Sequence, residues 1–394
     1  MEAVVAQISK RCQEMVEQDD RFGAGKKFVK FAIDPAKSGV DQFASAAIFG
    51  NIEFENETSN SNENGTTTSV PVVIKTEPPI PKLREFFNSH LQFSNEILFY
   101  SQLLPFLNTF LVEDESQFVN FLKGGTSDPV LLSYVIMENA SKEGFRLSKS
   151  KQLLSLDHIL LTVNKLGRFH ALSYIAKHQN RTLFDSLTAQ IKETSWTDTR
   201  LETGLGDSDL ICAVTRATRK FDNSEAKHVT ETSSPIDVLF FDLATIRYSS
   251  PVIDLSFFIY LNSNPEIRLH WNQILQSYHD GLRTSVEAFA DKNNINVIEG
   301  KSNFTSSSDG IFLPSLEDVH QEFVYHAIYG FMLCSFFLPV MMVDNPSEVF
   351  SEEGGEFWNV PEEVRHKVQS TMAGEEGTKA LNHLVQHLVD MGFV

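Results

Sequence analysis

The sequence predicts an α+β fold: a small lobe built on a mixed β-sheet, then a larger and mainly helical lobe. Three observations carry that expectation. Short apolar runs of strand length dominate the first third of the chain, one long helix-period segment interrupts them, and the pattern beyond Pro251 is helical almost throughout. The expected division is residues 1–138 for the first lobe and 139–394 for the second. A chain of 394 residues is long enough to bury a substantial core in such an arrangement.

Taken in order, Val4, Val5, Ile8, Cys12 and Val16 recur at helical spacing and predict an amphipathic opening helix over residues 1–20. VKFAI (29–33) and ASAAIFGNIEF (44–54) read as strands. Residues 56–69, NETSNSNENGTTTS, are polar and form a loop, and PVVIK (71–75) resumes the sheet. Pro78, Pro79 and Pro81 then break the chain. Behind them Phe86, Phe87, Phe93, Ile97, Tyr100, Leu103 and Leu104 predict one long amphipathic helix ending at Pro105. VLLSYVIME (130–138) is a buried-strand pattern, 154–174 is a helix, and residues 178–234 are weakly patterned. IDVLFFDLA (236–244) reads as another buried strand, and GKSNFTSSSDG (300–310) as an exposed loop.

Composition narrows the function classes. The net charge of −19, from 52 acidic and 33 basic residues, opposes nucleic acid and anionic membrane as partners. The 32 Phe against 8 Tyr and 3 Trp point to an aromatic-rich core. Three distant cysteines, Cys12, Cys212 and Cys334, argue against a disulfide framework and a cysteine-based zinc site. Residues 1–20 show no apolar core of signal-peptide length, and the stretch 329–343 falls short of the ~20 residues of a membrane span. The expected location is the cytoplasm.

Phosphoryl transfer needs few side chains: a Lys for the phosphates, a Glu to hold that Lys, and an Asp for the metal. Lys75 ends the strand of Val72, Val73 and Ile74, and Glu96 comes 21 residues later on the predicted helix. Asp242 stands near the end of the 236–244 run, where a metal-binding carboxylate is placed. Each has a plainer reading, as a strand-edge charge or a turn former, and Asp254 reads more readily as a helix N-cap than as a functional carboxylate.

In this order the pieces resemble the ecdysteroid kinase-like family within the choline/aminoglycoside phosphotransferase group of two-lobed, protein-kinase-like folds. Gly39-Val40-Asp41-Gln42-Phe43-Ala44-Ser45 is similar to its glycine-rich loop, and Phe93-Ser94-Asn95-Glu96 with Tyr100 and Pro105 to its Lys-binding helix. Met137-Glu138-Asn139 with Gly144-Phe145 resembles the hinge, and Phe169-His170-Ala171-Leu172-Ser173 the end of a family helix. Phe241-Asp242-Leu243 resembles the metal-binding strand, and Arg247-Tyr248-Ser249-Ser250-Pro251 and Asp254-Leu255 resemble the segment that comes after that strand. The resemblance implies ATP and magnesium as cofactors. Lys75, Glu96, Ser45, Glu138 and Asn139 would bind the nucleotide and Asp242 the metal, and the substrate would be a small hydroxylated molecule such as a steroid or xenobiotic.

One piece of the pattern is missing. The family's His-Gly-Asp loop, which orients the substrate hydroxyl, occurs nowhere in this sequence, and only 71 residues separate His170 from Phe241. Asp207, in Gly206-Asp207, is the candidate that remains for the catalytic position. Counted back from Lys220-Phe221-Asp222, the position of the loop's Asn falls on Arg216. Either an active phosphotransferase or a non-catalytic relative that binds nucleotide or a small apolar ligand is compatible with these residues.

Overall fold

The computed structural model describes residues 2–19, 22–34, 45–56, 67–112, 117–148, 153–194, 207–218, 234–300, 310–343 and 362–394. Helix α1 (Glu2–Gln18) buries Ile8, Cys12, Met15 and Val16 against the first strands. Five strands come next: β1 (Lys26–Ile33), β2 (Ala46–Asn56), β3 (Thr68–Thr76), β4 (Phe121–Asp128) and β5 (Leu132–Glu138). They form one sheet in the order β1-β2-β3-β5-β4, antiparallel at every pairing. One face packs on α1 through Ile52, Val72, Ile74 and Ile136. The other, through Val135 and Met137, faces a cluster of Phe93, Phe99, Tyr100, Phe118 and Phe184. Alternation along the strands sends these residues to opposite faces.

Between β3 and β4 the expected single helix is divided. Helix α2 (Pro81–Phe87) stops at Asn88, which adopts φ 50, a left-handed position that Asn tolerates. Helix α3 (Ser89–Leu98) continues through a π-helical turn, Phe99–Leu103, into α4 (Leu104–Asn108). Pro105 therefore sits inside a continuous helical run instead of ending one, and its missing N–H follows directly on the π-helical turn, where Leu104 N reaches back five residues to Phe99 O. Strand β4 escapes the sequence reading because Gly124 and Gly125 sit where a turn would be expected.

Past a 3₁₀ turn at Ala140–Glu143 most of the described residues are helical. The helices are α5 (Leu156–Gln179), α6 (Arg181–Thr188), α7 (Asp207–Ala217), α8 (Val252–Asn262), α9 (Pro265–Arg268) and α10 (Trp271–Asn293). A two-stranded parallel pair, β6 (Val297–Glu299) and β7 (Ile311–Leu313), precedes α11 (Leu316–Met341), α12 (Glu362–Thr371) and α13 (Gly374–Asp390). Helix α11 starts on a capping box from Ser315 and Asp318. By length and composition it is apolar enough to cross a membrane, but half of its most apolar stretch is buried within this lobe. The core of the lobe runs through Ile159, Val163, Leu255, Ile259, Tyr278, Leu282, Phe323 and Phe331.

The predicted strand 236–244 is not one. Residues 234–250 run without regular structure and touch strand-like backbone at one place, the parallel bridge between Phe118 and Phe240. Ile236 is 98% exposed and Phe241 53% exposed, so the run is apolar without being buried. Apolar, β-prone residues make a strand only when a sheet edge accepts them. Among the described residues its backbone pairs only with the short stretch Gln117–Val119, and pairing ends there.

Candidate functional site

Strand register decides which side chains meet at the end of the sheet. Lys75 pairs with Ala47 on β2 and with Val135 on β5, and Thr76 pairs with Ala46. Ser45 thus lies just past the last paired residue at the same end of the sheet as Lys75. The stem of Lys75 is buried, 8% exposed, and its ammonium reaches outward to two carboxylates.

The Nζ of Lys75 donates to Glu96 Oε2 at 2.8 Å and to Asp242 Oδ1 at 2.7 Å. Glu96 comes from α3, whose inner face packs Phe93 and Ile97 towards the sheet, and its side chain is almost wholly enclosed. Asp242 comes from the irregular segment, and its side chain is 59% exposed. Its backbone lies at φ 65, a left-handed position that costs a non-glycine residue on the order of 1 kcal/mol or more. The bridge at Phe240, with Phe240 N donating to Gln117 O at 2.9 Å and Val119 N donating to Phe240 O at 3.1 Å, fixes the backbone two residues before it. Phe240 also packs on Phe118, and Phe118 on Phe169 of α5. Both lobes therefore contribute to the setting of one carboxylate.

Burial alone would lower the pKa of Lys75, but the charges of Asp242 and Glu96 outweigh it and raise it. Glu96 moves up as well, because burial opposes its charge more than Lys75 and the Leu243 backbone N–H relieve it. Its second oxygen, Oε1, is buried without a hydrogen-bond partner among the described residues, as is the hydroxyl of Tyr100. Burial, with Glu96 and Asp242 nearby, keeps that phenol protonated.

The hinge candidates lie further along the sheet. Glu138 pairs with Val72, three residues or roughly 10 Å from Lys75 along β3. Asn139 N donates to Pro71 O at 2.9 Å, and its side chain accepts from Ser141 N, so it shapes the turn that leaves the sheet. A cleft of about 410 Å³ lined by Phe22, Val70, Asn120, Phe121, Leu122 and Glu138 adjoins this end. Val70 is five residues from Lys75, roughly 16 Å along β3. The cleft is thus separate from the charged trio, and the trio, not the cleft, has the chemistry.

Other motif residues find structural partners. His170 Nδ1 and the Tyr278 hydroxyl are 2.9 Å apart, and His170 Nε2 lies 3.3 Å from Asp254 Oδ2. Arg247 contacts the Tyr329 hydroxyl of α11 and lies 3.5 Å from Glu193, and Ser250 donates to Glu322 at 2.5 Å. These contacts tie the segment after Asp242 to the helical lobe.

Asp207 begins α7, and Gly39–Ala44, Gly206 and Lys220–Asp222 lie outside the described residues. Arg216, the position counted for the family's Asn, is buried in the helical lobe. Its Nε donates to Thr378 Oγ1 at 2.9 Å, Nη1 to Gln369 O at 2.7 Å, and Nη2 to Met372 O at 2.6 Å and Gly374 O at 2.8 Å. These carbonyls end α12 and open α13, and α7 is thereby built into the helical core. No signal in the sequence marked Arg216 as a helix-end clamp.

No group of three His, Cys, Asp or Glu side chains able to hold a metal ion occurs among the described residues. Asp242 is one carboxylate, already neutralised by Lys75. Mg²⁺ bound with a nucleotide takes one or two carboxylates and fills its remaining positions with phosphate oxygens and water. The trio therefore suits a cation delivered on phosphates and does not suit a free ion.

The family model described as the ecdysteroid kinase-like family matches residues 39–212 and 226–290, more than half of the chain. No curated protein and no solved structure matches the chain.

Proposed function

The chain belongs to the ecdysteroid kinase-like family, and from that premise we propose that it binds a magnesium-complexed nucleoside triphosphate, ATP by family, at Lys75, Glu96 and Asp242 without transferring phosphate efficiently. The observation that supports binding is the double contact of one buried ammonium, held 2.8 Å from Glu96 and 2.7 Å from Asp242. In a phosphotransferase the Lys neutralises phosphate oxygens, the Glu holds it in place, and the Asp meets the metal. Bound nucleotide would replace the Asp242 arm of this bridge with a phosphate oxygen. Ser45, Glu138 and Asn139 would border the same nucleotide at its two ends.

The weak step is transfer. The His-Gly-Asp loop is absent from the sequence, and Arg216 is committed to the carbonyls of α12 and α13. A general base contributes on the order of 10²–10⁴-fold, and its loss falls on turnover, not on nucleotide binding. The substrate class the family suggests is a small hydroxylated molecule, steroid-like or xenobiotic, and the cytoplasm is the location that goes with it.

Thermal unfolding with and without Mg·ATP, on the wild type and on Lys75→Met, tests this reading. At ~100 times the dissociation constant, one-site binding stabilises by about 2.7 kcal/mol, a rise of several degrees. The rise should require Mg²⁺ and vanish in Lys75→Met, while ADP release with a panel of alcohols stays at background. No rise would sink nucleotide binding, and substrate-dependent ADP release would overturn the non-transferring part.

A further inference from the structure

The cleft beyond Glu138 follows from unequal strand lengths. Strand β5 ends at Glu138, opposite Val72, whereas β3 begins further out, at Thr68. The outer part of β3, Val70 included, therefore has no β5 residue beside it. Asn139 N donates to Pro71 O at 2.9 Å, and the chain then turns away from the sheet. On the other side of β5, Glu138 N donates to Asn120 O at 2.9 Å, just ahead of the first residue of β4. What is left is the space of about 410 Å³ bounded by Phe22, Val70, Asn120, Phe121, Leu122 and Glu138.

Residues directly opposed across antiparallel strands share a face, and successive residues alternate between faces. Val72, Ile74 and Ile136 belong to the face that α1 covers, and Phe22, Val70 and Leu122 pack in the same cluster. Glu138, opposite Val72 and two residues after Ile136, is placed on that face. Lys75 is opposite Val135, which faces the cluster of Phe93 and Tyr100 on the other side. Cleft and trio are thus on opposite faces of the sheet. A nucleotide at the trio would meet the backbone of Glu138, and the side chain is left for the cleft.

The lining has groups that bind and none that react. Phe22, Val70 and Leu122 supply apolar surface, and the Asn120 amide stands exposed at the rim. Glu138 is half-buried, and its carboxylate has no hydrogen-bond or ion-pair partner among the described residues. Lys26, whose ammonium lies over the Phe54 ring on which Phe22 packs, is engaged by the Asn56 side chain. No Lys or Arg lines the cleft, so an anion has nothing to pair with there. The net charge of −19 draws cations towards the surface. A few hundred Å³ of apolar lining with one or two polar groups is the usual make-up of a small-molecule site.

We propose that this cleft is a second binding site, on the back of the β5 strand end, for a small organic amine. Its ammonium pairs with the free Glu138 carboxylate, and its apolar body lies along Val70, Leu122 and Phe22. The site goes beyond the nucleotide reading and does not depend on it, because it shares no side chain with Lys75, Glu96 and Asp242.

Calorimetric titration with phenylbutylammonium and with its neutral counterpart phenylbutanol tests the proposal, on the wild type, Glu138→Gln, Val70→Trp and Lys75→Met. The amine should bind the wild type saturably at one site. The alcohol, without the charge, should bind on the order of tenfold more weakly. Glu138→Gln keeps the shape of the cleft and should bring the amine down to the alcohol's affinity. Val70→Trp fills the cleft and should weaken both probes, while Lys75→Met should change neither. No saturable binding of the amine would overturn the proposal, and so would equal affinity for the two probes or an undiminished amine affinity in Glu138→Gln. Loss of amine binding in Lys75→Met would move the amine to the trio and overturn it as well. Failure of Mg·ATP to bind, by contrast, would sink the nucleotide reading alone.

Discussion

Lys177, near the end of α5, has aromatic rings on three sides: its Nζ lies 4.6 Å from the Tyr174 centroid, 5.4 Å from Tyr248 and 5.8 Å from Phe184. Burial lowers its pKa to about 8, Arg181 adds to the fall, and Asp185 offsets a little of it. Each ring favours the ammonium by on the order of 1 kcal/mol, and together they fall short of what a shift of this size represents. Because the folded pKa lies below the ordinary 10.5, the unfolded chain binds more protons between pH 8 and 10.5, and stability rises over that window. Lys177→Met keeps the stem among the rings and removes the charge. Its melting temperature at pH 7 should exceed the wild type's by a few degrees, with the gap closing above pH 10; a lower melting temperature would show the rings to be the stronger influence. At the same scale the trio was legible. Lys75 and Glu96 announced themselves by strand, spacing and helix, and Asp242 by its apolar approach. Arg216 was not, because a clamp on the carbonyls of α12 and α13, more than 150 residues later, leaves no local pattern.

Among the elements, α1 is attached by a polar anchor as well as by its apolar face. Asp128, at the end of β4, accepts from Val130 N and Leu131 N through Oδ1, and from Gln7 and Arg11 of α1 through Oδ2. Burial would raise its pKa, but these donors, Leu131 N first, hold it down to about 2 from the ordinary 3.8. A depressed carboxylate contributes stability that is complete above its unfolded pKa and is lost as pH falls through the folded one. The contribution, about 2 kcal/mol, should fade between pH 4 and 2. Asp128→Asn should lower the urea midpoint at pH 7 by a comparable free energy and flatten that acid limb. Hydrogen exchange should then speed up first in α1, and an unchanged α1 would mean that Ile8, Cys12 and Met15 hold it unaided. Elements with a regular period, such as α1, β2, β3 and α5, could be read from the sequence. The break at Asn88, the π-helical turn and the irregular 234–250 segment could not, since each depends on what the rest of the chain offers as a partner.

At the scale of the whole molecule, the α+β plan, a sheet first and helices after it, was legible from the change of period along the chain, but the closeness of the helices was not. Helices α5 and α10 cross where Gly167 and Gly281 face each other. A Cβ on Gly167 would stand 2.2 Å from Tyr278 O, and one on Gly281 2.0 Å from Asn164 O. Neither obstacle is a flexible side chain, so a methyl group at either place forces the backbones apart. The crossing also carries Asn164 Nδ2 to Ser277 O at 2.9 Å, Ser277 Oγ to Leu160 O at 2.9 Å, and the His170–Tyr278 pair. Overpacking a close crossing costs on the order of 1–3 kcal/mol. Gly167→Ala should therefore lower the urea midpoint by that amount although alanine is the better helix former by about 1 kcal/mol. Separation of the helices would also pull Tyr278 from His170 and shift the α5 face that carries Phe169 onto Phe118 and, through it, Phe240. The Mg·ATP affinity proposed for the trio should fall with it, two residues beyond Phe240, even though the substitution touches no group of the site. A Gly167→Ala protein that is destabilised yet binds Mg·ATP as the wild type does would show that Asp242 is set by the Gln117–Phe240 bridge alone and owes nothing to the helical lobe.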